Sequence, residues 1–231
     1  MKRLTGLLLI AAFFGLPFYA NAGIIGNVNL TEYYSDPTGS VTFPSGSGNY
    51  YLDYDAKLNL GPIDEAFCVE DRNGPPSTQV YTLFSIDDGL TVFGLNASKY
   101  LAAAWVADYY YKNYEGTASE EAYKAGAQIA VWEIIFDDTF NLAADTFRAS
   151  NAYSDEALLF GNLIANATIP SYSSEWFLAV NPTVTVGGTV TVDGYQNYLV
   201  HQPVPEPATM LLLGMGLIGL AGFGRKRLLK K

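Results

Sequence analysis

Apolar and polar residues alternate through the first part of the chain. IIGNVNL, SVTF and YYLDYDAKLNL, all within residues 23–60, carry this two-residue period and are separated by Gly, Ser, Pro and Asn, which predicts β-strands. TQVYTLFSI (78–86) predicts another strand, after the loop DRNGPPS. The period then lengthens. ASKYLAAAWVADYYYKNY (97–114) has strong helix formers and an apolar face through Leu101, Trp105 and Val106. GTASEEAYKAGAQIAVWEIIFDD predicts a second helix ending near Phe136, with Thr117 and Glu120 spaced as a capping box. SDEALLFGNLIANA (154–167) predicts a third, with Ser154 as N-cap and two acids in its first turn. β-character returns in EWFLAVN (175–181), in the hairpin pattern TVTV-GG-TVTV with Gly187-Gly188 as a two-residue turn, and in YQNYLV (195–200). Strands, then helices, then strands predict an α+β fold: a β-sandwich or barrel with an inserted helical lobe of about three helices. The β lobe would comprise 23–96 and 172–204, and the helical lobe 97–171.

The two ends follow different rules. Lys2 and Arg3 precede an apolar run from Leu4 to Phe18, and Ala20-Asn21-Ala22 follows. That is the layout of a secretory signal peptide (1–22) cleaved after Ala22. At the other end Pro205-Glu206-Pro207 precedes a 17-residue apolar run, 208–224, at the short limit for a transmembrane helix. The run holds five glycines and is followed by the basic residues Arg225, Lys226, Arg227, Lys230 and Lys231, which favour the cytoplasmic side. These three parts, within 205–231, resemble the PEP-CTERM sorting signal. The resemblance implies a Gram-negative bacterium that makes exopolysaccharide. It implies an inner-membrane intermediate, removal of the tail by an exosortase, and a final place at the cell surface or in the extracellular matrix.

Removing both ends leaves residues 23–204, enough for one domain with a proper core. This segment holds six basic and 22 acidic residues, a net charge of −16, against −10 for the whole chain. Such acidity disfavours nucleic acid and anionic membrane as partners. The chain has one cysteine, so a disulfide scaffold within it is impossible.

Most familiar chemistries lack their residues. The single histidine, His201, falls at the end of the expected domain, which disfavours a His-dependent nucleophilic enzyme. A zinc site would need several Cys or His ligands. Neither a P-loop nor a Gly-rich dinucleotide fingerprint is present. The acid pairs Asp53/Asp55, Asp87/Asp88 and Asp137/Asp138 lie in no EF-hand loop and fit solvated turns. An acid-pair hydrolase has no motif to support it.

Cys68 and Gln128 remain. Cys68 sits in the apolar triplet Phe67-Cys68-Val69, flanked by acids, as in a short strand or strand end. Gln128 interrupts the apolar stretch AGAQIAVWEII (125–135) and shares a helix face with Lys124, Val131, Trp132 and Ile135. A carboxamide buried without partners costs a few kcal/mol. Gln128 therefore reaches water, is hydrogen-bonded inside, or has been consumed by chemistry. A lone Cys is ordinarily a small buried hydrophobe, and the residues by themselves leave these alternatives open.

The two boxes together resemble the thioester domains of bacterial surface proteins. An aromatic-Cys-apolar box is followed some sixty residues later by Ala127-Gln128-Ile129-Ala130-Val131-Trp132, and the resemblance spans roughly 60–200. It implies that the Cys68 thiol attacks the Gln128 side-chain carbonyl, ammonia leaves, and a thioester bridges the β and helical lobes without an external cofactor. Phe67, Val69 and Trp132 are the expected shield against water. The chain departs from the better-known members at Ala127, where they usually carry Thr. The expected function is covalent attachment, in a single turnover and not as an enzyme, to an amine or hydroxyl on a surface or exopolysaccharide target. The alternative is a non-covalent structural or carbohydrate-binding matrix protein, consistent with 17 tyrosines and 13 phenylalanines.

Overall fold

A computed structural model describes residues 24–59, 61–71, 78–87, 95–181, 183–184, 190–191 and 195–202. The fold is α+β. Its strands are β1 (Ile24–Phe43), β2 (Gly46–Leu58), β3 (Ile63–Cys68), β4 (Thr78–Asp87), β5 (Arg148–Ala149), β6 (Tyr172–Val180), β7 (Thr183–Val184), β8 (Val190–Thr191) and β9 (Tyr198–His201). Its helices, α1 (Ala97–Asn113), α2 (Glu120–Phe136) and α3 (Ser154–Ala165), lie between β4 and β6 in the chain. Seven strands form one antiparallel sheet in the order β2-β3-β9-β6-β4-β1-β5. β1 also pairs with β2, so the hydrogen-bonding circuit returns to its start. Its length makes this possible: residues 24–31 pair with β4, 30–43 with β2, and Val41–Thr42 with β5. The segments IIGNVNL and SVTF are thus one 20-residue strand, with a register shift between Ser35 and Thr38.

Burial explains which strands alternate in sequence. β2 buries one face, giving the pattern eye-readable in YLDYDAKL, where Leu52, Tyr54 and Ala56 are inside. The strands beside it are covered on both faces. Ala66 and Cys68, Tyr81 and Leu83, and Tyr198 and Val200 face one cluster built around Trp132, Phe43 and Phe147. Their neighbours Phe67, Phe84, Leu178 and Leu199 face a second cluster completed by α1. The covered ends of β3, β6 and β9 accordingly read as short apolar runs, whereas β4 takes the polar Thr82 and Ser85 inside.

α2 is the central helix. Every residue from Lys124 to Glu133 is buried, as expected of a helix surrounded by protein. The small residues Ala125, Gly126 and Ala127 permit this close packing: a Cβ on Gly126 would sit 2.4 Å from the Glu156 Cβ on α3. The loop after α2 is pinned by Asp137, whose carboxylate accepts from the backbone N–H groups of Thr146 (3.0 Å) and Phe147 (2.7 Å).

Several local expectations are corrected. α2 starts at Glu120, and the Thr117/Glu120 box does not close. The Glu120 carboxylate instead accepts from Gly116 N–H, and Thr117 donates its hydroxyl to the Tyr114 carbonyl. Tyr153, not Ser154, is the N-cap of α3; Ser154 Oγ accepts from Asn151 N–H and so fixes the turn entering the helix. Val184 pairs with Val190 and Thr183 with Thr191, a register one residue away from that of a two-residue turn at Gly187-Gly188, which lie outside the described residues. The long-range pair β1–β5 had no local signal. Ala20, Ala22, Pro205, Glu206, Pro207, the 208–224 run and Arg225, Lys226 and Arg227 also lie outside the described residues. Among the described residues no helix is long and apolar enough to cross a membrane.

Glu133 makes stability pH-dependent. Burial pushes its carboxyl up to about 7, against the hydrogen bond it accepts from Asn141 N–H. The folded state therefore holds a proton that the unfolded chain, near 4.5, has released. Tm is expected to fall as pH rises from about 4.5 to about 7, and Glu133→Gln to flatten that slope in a thermal-denaturation series. An unchanged slope in the variant would assign the effect elsewhere.

Candidate functional site

At Cys68 the sheet runs out of partners on one side. The β2–β3 ladder is last paired at Tyr54–Ala66, whereas β9 continues beside β3, with Val69 N–H donating to the Asn197 carbonyl (3.0 Å). The N–H and C=O of Cys68 point away from β9, toward the vacant side. Gln128, in the middle of α2, takes that place. Its Oε1 accepts from Cys68 N–H (2.9 Å) and its Nε2 donates to the Cys68 carbonyl (2.8 Å). The carboxamide thus acts as the missing cross-strand peptide group. Both residues are fully buried.

The sulfur has its own polar surroundings. Cys68 Sγ donates to the Glu70 carbonyl (3.2 Å) and accepts from Gln196 Nε2 (3.2 Å). Gln196 is oriented by Tyr198, whose hydroxyl lies 2.7 Å from Gln196 Oε1 and also bonds Glu32. Glu70 is held by Asn197. Burial pushes the Cys68 thiol up to about 12; the bonds to Glu70 and Gln196 and the nearby Trp132 indole oppose this. Neutral thiol is therefore the resting form at physiological pH.

Three successive turns of α2 read across β3. Lys124 reaches one face, pairing with the Glu65 carboxylate with its ammonium 4.3 Å from the Phe67 ring centre. Gln128 meets the strand backbone. Trp132 lies on the other face, in the cluster that contains Cys68, Tyr54 and Tyr198. The expected shield is divided accordingly. Trp132 is on the sulfur side, whereas Phe67 and Val69 are buried on the opposite face, because adjacent strand residues point opposite ways. Val131 and Ile135 also turn to the second cluster.

Sequence reasoning missed Gln196, Tyr198, Glu70 and Glu65. The polar pair Gln196-Asn197 before an apolar strand was the available signal. His201 is remote from this chemistry in the β9 register: its Nδ1 is 3.0 Å from Asp64 Oδ2, and its ring lies against Tyr111 at 4.1 Å. It borders a cavity of about 220 Å³ with Ala56, Leu58 and Pro62. Among the described residues no group of three His, Cys, Asp or Glu side chains is placed to hold a metal ion.

Comparison with known families agrees with this geometry. Residues 65–168 match the family model of the thioester domain, a span that holds Cys68, Gln128 and all three helices. Residues 203–227 match the PEP-CTERM protein-sorting motif. The chain therefore carries a thioester domain and a PEP-CTERM sorting signal. The signal implies processing by an exosortase, export, and a cell-surface or extracellular destination. No curated protein and no solved structure matches the chain.

The Gln128 bonds set a stability test. In a Cys68→Ala background, which keeps the carboxamide intact, Gln128→Leu would leave two backbone groups of residue 68 buried and unpaired, at roughly 1–3 kcal/mol each. The variant is expected to unfold at lower denaturant by roughly 2–4 kcal/mol in equilibrium unfolding. A loss below 1 kcal/mol, on the order of an ordinary surface change, would contradict the bonded arrangement.

Proposed function

We propose that Cys68 and Gln128 form an internal thioester through which the exported protein fixes itself covalently to a surface or matrix nucleophile. The observation that carries this reading is the seat of the Gln128 carboxamide on the backbone of Cys68 itself, inside the thioester-domain match. Oε1 already accepts from Cys68 N–H, so charge developing on that oxygen during attack meets a fixed donor. Sγ bonds to the Gln128 side-chain carbonyl carbon, the C–N bond breaks, the thiol proton passes to Nε2, and ammonia leaves. In the second step an amine or hydroxyl attacks the same carbon and gives up its proton, and Cys68 returns as a thiol. Gln196 Nε2 donates to the sulfur, and the Trp132 indole N–H is buried without a partner on the same side, so both can stabilise charge on the departing sulfur. Burial of Cys68 and Gln128 keeps water from the bond.

The product is an adduct and the bond is spent in making it, so the protein acts once. In this reading the 208–224 helix holds the chain transiently in the inner membrane until exosortase cuts, and a polymer or protein of the matrix supplies the nucleophile. A second reading is a non-covalent structural or carbohydrate-binding matrix protein; it draws on the fact that Gln128 is fully hydrogen-bonded as an ordinary core residue.

Intact mass of the mature protein, prepared without amines or reductant, separates the two. The wild type is expected to be lighter than its sequence by one ammonia, and Cys68→Ala to have its full mass. Methylamine should convert the wild type to an adduct and make one thiol titratable. A full-mass, well-folded wild type would leave the non-covalent reading.

A further inference from the structure

The ion pair Glu65–Lys124 is buried at the α2–β3 junction and takes no part in the bond chemistry above. Lys124 is 1% exposed and Glu65 11%. The ammonium is enclosed by the rings of Phe67 and Tyr110, at 4.3 and 5.3 Å from their centres. Burial pushes Lys124 below its ordinary value, against the pull of Asp53, Asp55 and Asp64. A buried ion pair seldom adds stability over an apolar pair of the same volume, because desolvation of both charges offsets their attraction. Its attested use is to fix one register among several that an apolar contact would allow.

The register in question is visible. Glu65 and Cys68 are three residues apart on β3; Lys124 and Gln128 are one turn apart on α2. β3 advances about 10 Å between its two positions, and α2 about 6 Å between its two. The long lysine stem spans the difference. Around Lys124 the helix presents Ala125, Gly126 and Ala127, which pack closely but carry no directional contact. We infer that the Glu65–Lys124 pair is the positioning device that sets α2 on β3 so that the Gln128 carboxamide meets Cys68. This rests on the thioester reading for its chemical consequence, but the positioning can be measured without it.

The test removes both charges together, since deleting one would strand the other. In Glu65→Leu/Lys124→Met, Tm is expected to stay the same or rise, while closure of the thioester after refolding, read as ammonia lost with time, slows at least tenfold. The exchanged pair Glu65→Lys/Lys124→Glu restores an ion pair and is expected to recover most of the closure rate. The same changes are made in Cys68→Ala, where no thioester can form. There the residue-68 amide, which donates to Gln128, should exchange with solvent at least tenfold faster in the apolar variant. The Val69 amide, bonded to the Asn197 carbonyl, should keep its protection and serves as the internal reference. Wild-type closure and unchanged residue-68 exchange in the apolar variant would overturn the inference. Failure of the thioester reading alone would appear differently: no ammonia loss in any variant, with the amide-exchange difference intact. Loss of Val69 protection together with residue 68 would mean general loosening, and would also overturn it.

Discussion

A strand that ends beside a helix leaves two backbone groups to satisfy, and much of this molecule is arranged around one such end. At Cys68 the neighbouring β2 ladder has stopped, and the N–H and C=O of a fully buried residue need partners. Unpaired, they would cost a few kcal/mol, a sizeable part of a domain's net stability. A side-chain carboxamide carries the same acceptor and donor groups as a peptide. Once Gln128 fills that role, its carboxamide is fixed on the backbone of the residue that carries the thiol.

Placing that carboxamide requires a helix buried on all sides, which the composition of α2 permits. Ala125, Gly126 and Ala127 let α3 approach closely, and the bulky contacts are reserved for Trp132 on the sulfur side. The polar groups brought inside with it are mostly partnered: Glu133 with Asn141, Lys124 with Glu65, Gln196 with Tyr198. Their clustering around one helix and two strands marks where the fold departs from a plain apolar core.

How much of this could be read from the chain varies with the range of the interaction. The α+β order and the three helices were legible because the helical period is local, even though the caps read from the sequence, Thr117/Glu120 and Ser154, do not cap. β2 was legible because one face is wet. β3 was indistinct: both of its faces are covered, so Ala66, Phe67 and Cys68 show no alternation. That Phe67 and Val69 lie on the face opposite the Cys68 side chain was hidden for the same reason, since a strand turns neighbours to opposite sides and a triplet read as one box does not show this. Gln196 precedes β9 and is buried, which the polar pair Gln196-Asn197 did not disclose. Lys124 was placed correctly on the Gln128 face, but nothing local could indicate Glu65 as its partner, because the contact joins a strand and a helix far apart in sequence.

The position of the tail gives the sheet order a mechanical meaning. The sorting signal follows directly from β9, a central strand held between β3 and β6. If the protein is tethered through Gln128, tension enters at α2 and leaves past His201. It runs only through the chain from the second half of α2 to β9. β1, β2 and β3 stand outside that path, and β3 grips β9 from the side. On the proposed reading, reaction with a target would also release Cys68 from Gln128, so the domain would gain its external tether at the moment its own covalent loop opens. From then on the ladder hydrogen bonds on both flanks of β9, and not a covalent bond, decide how much pull the fold withstands.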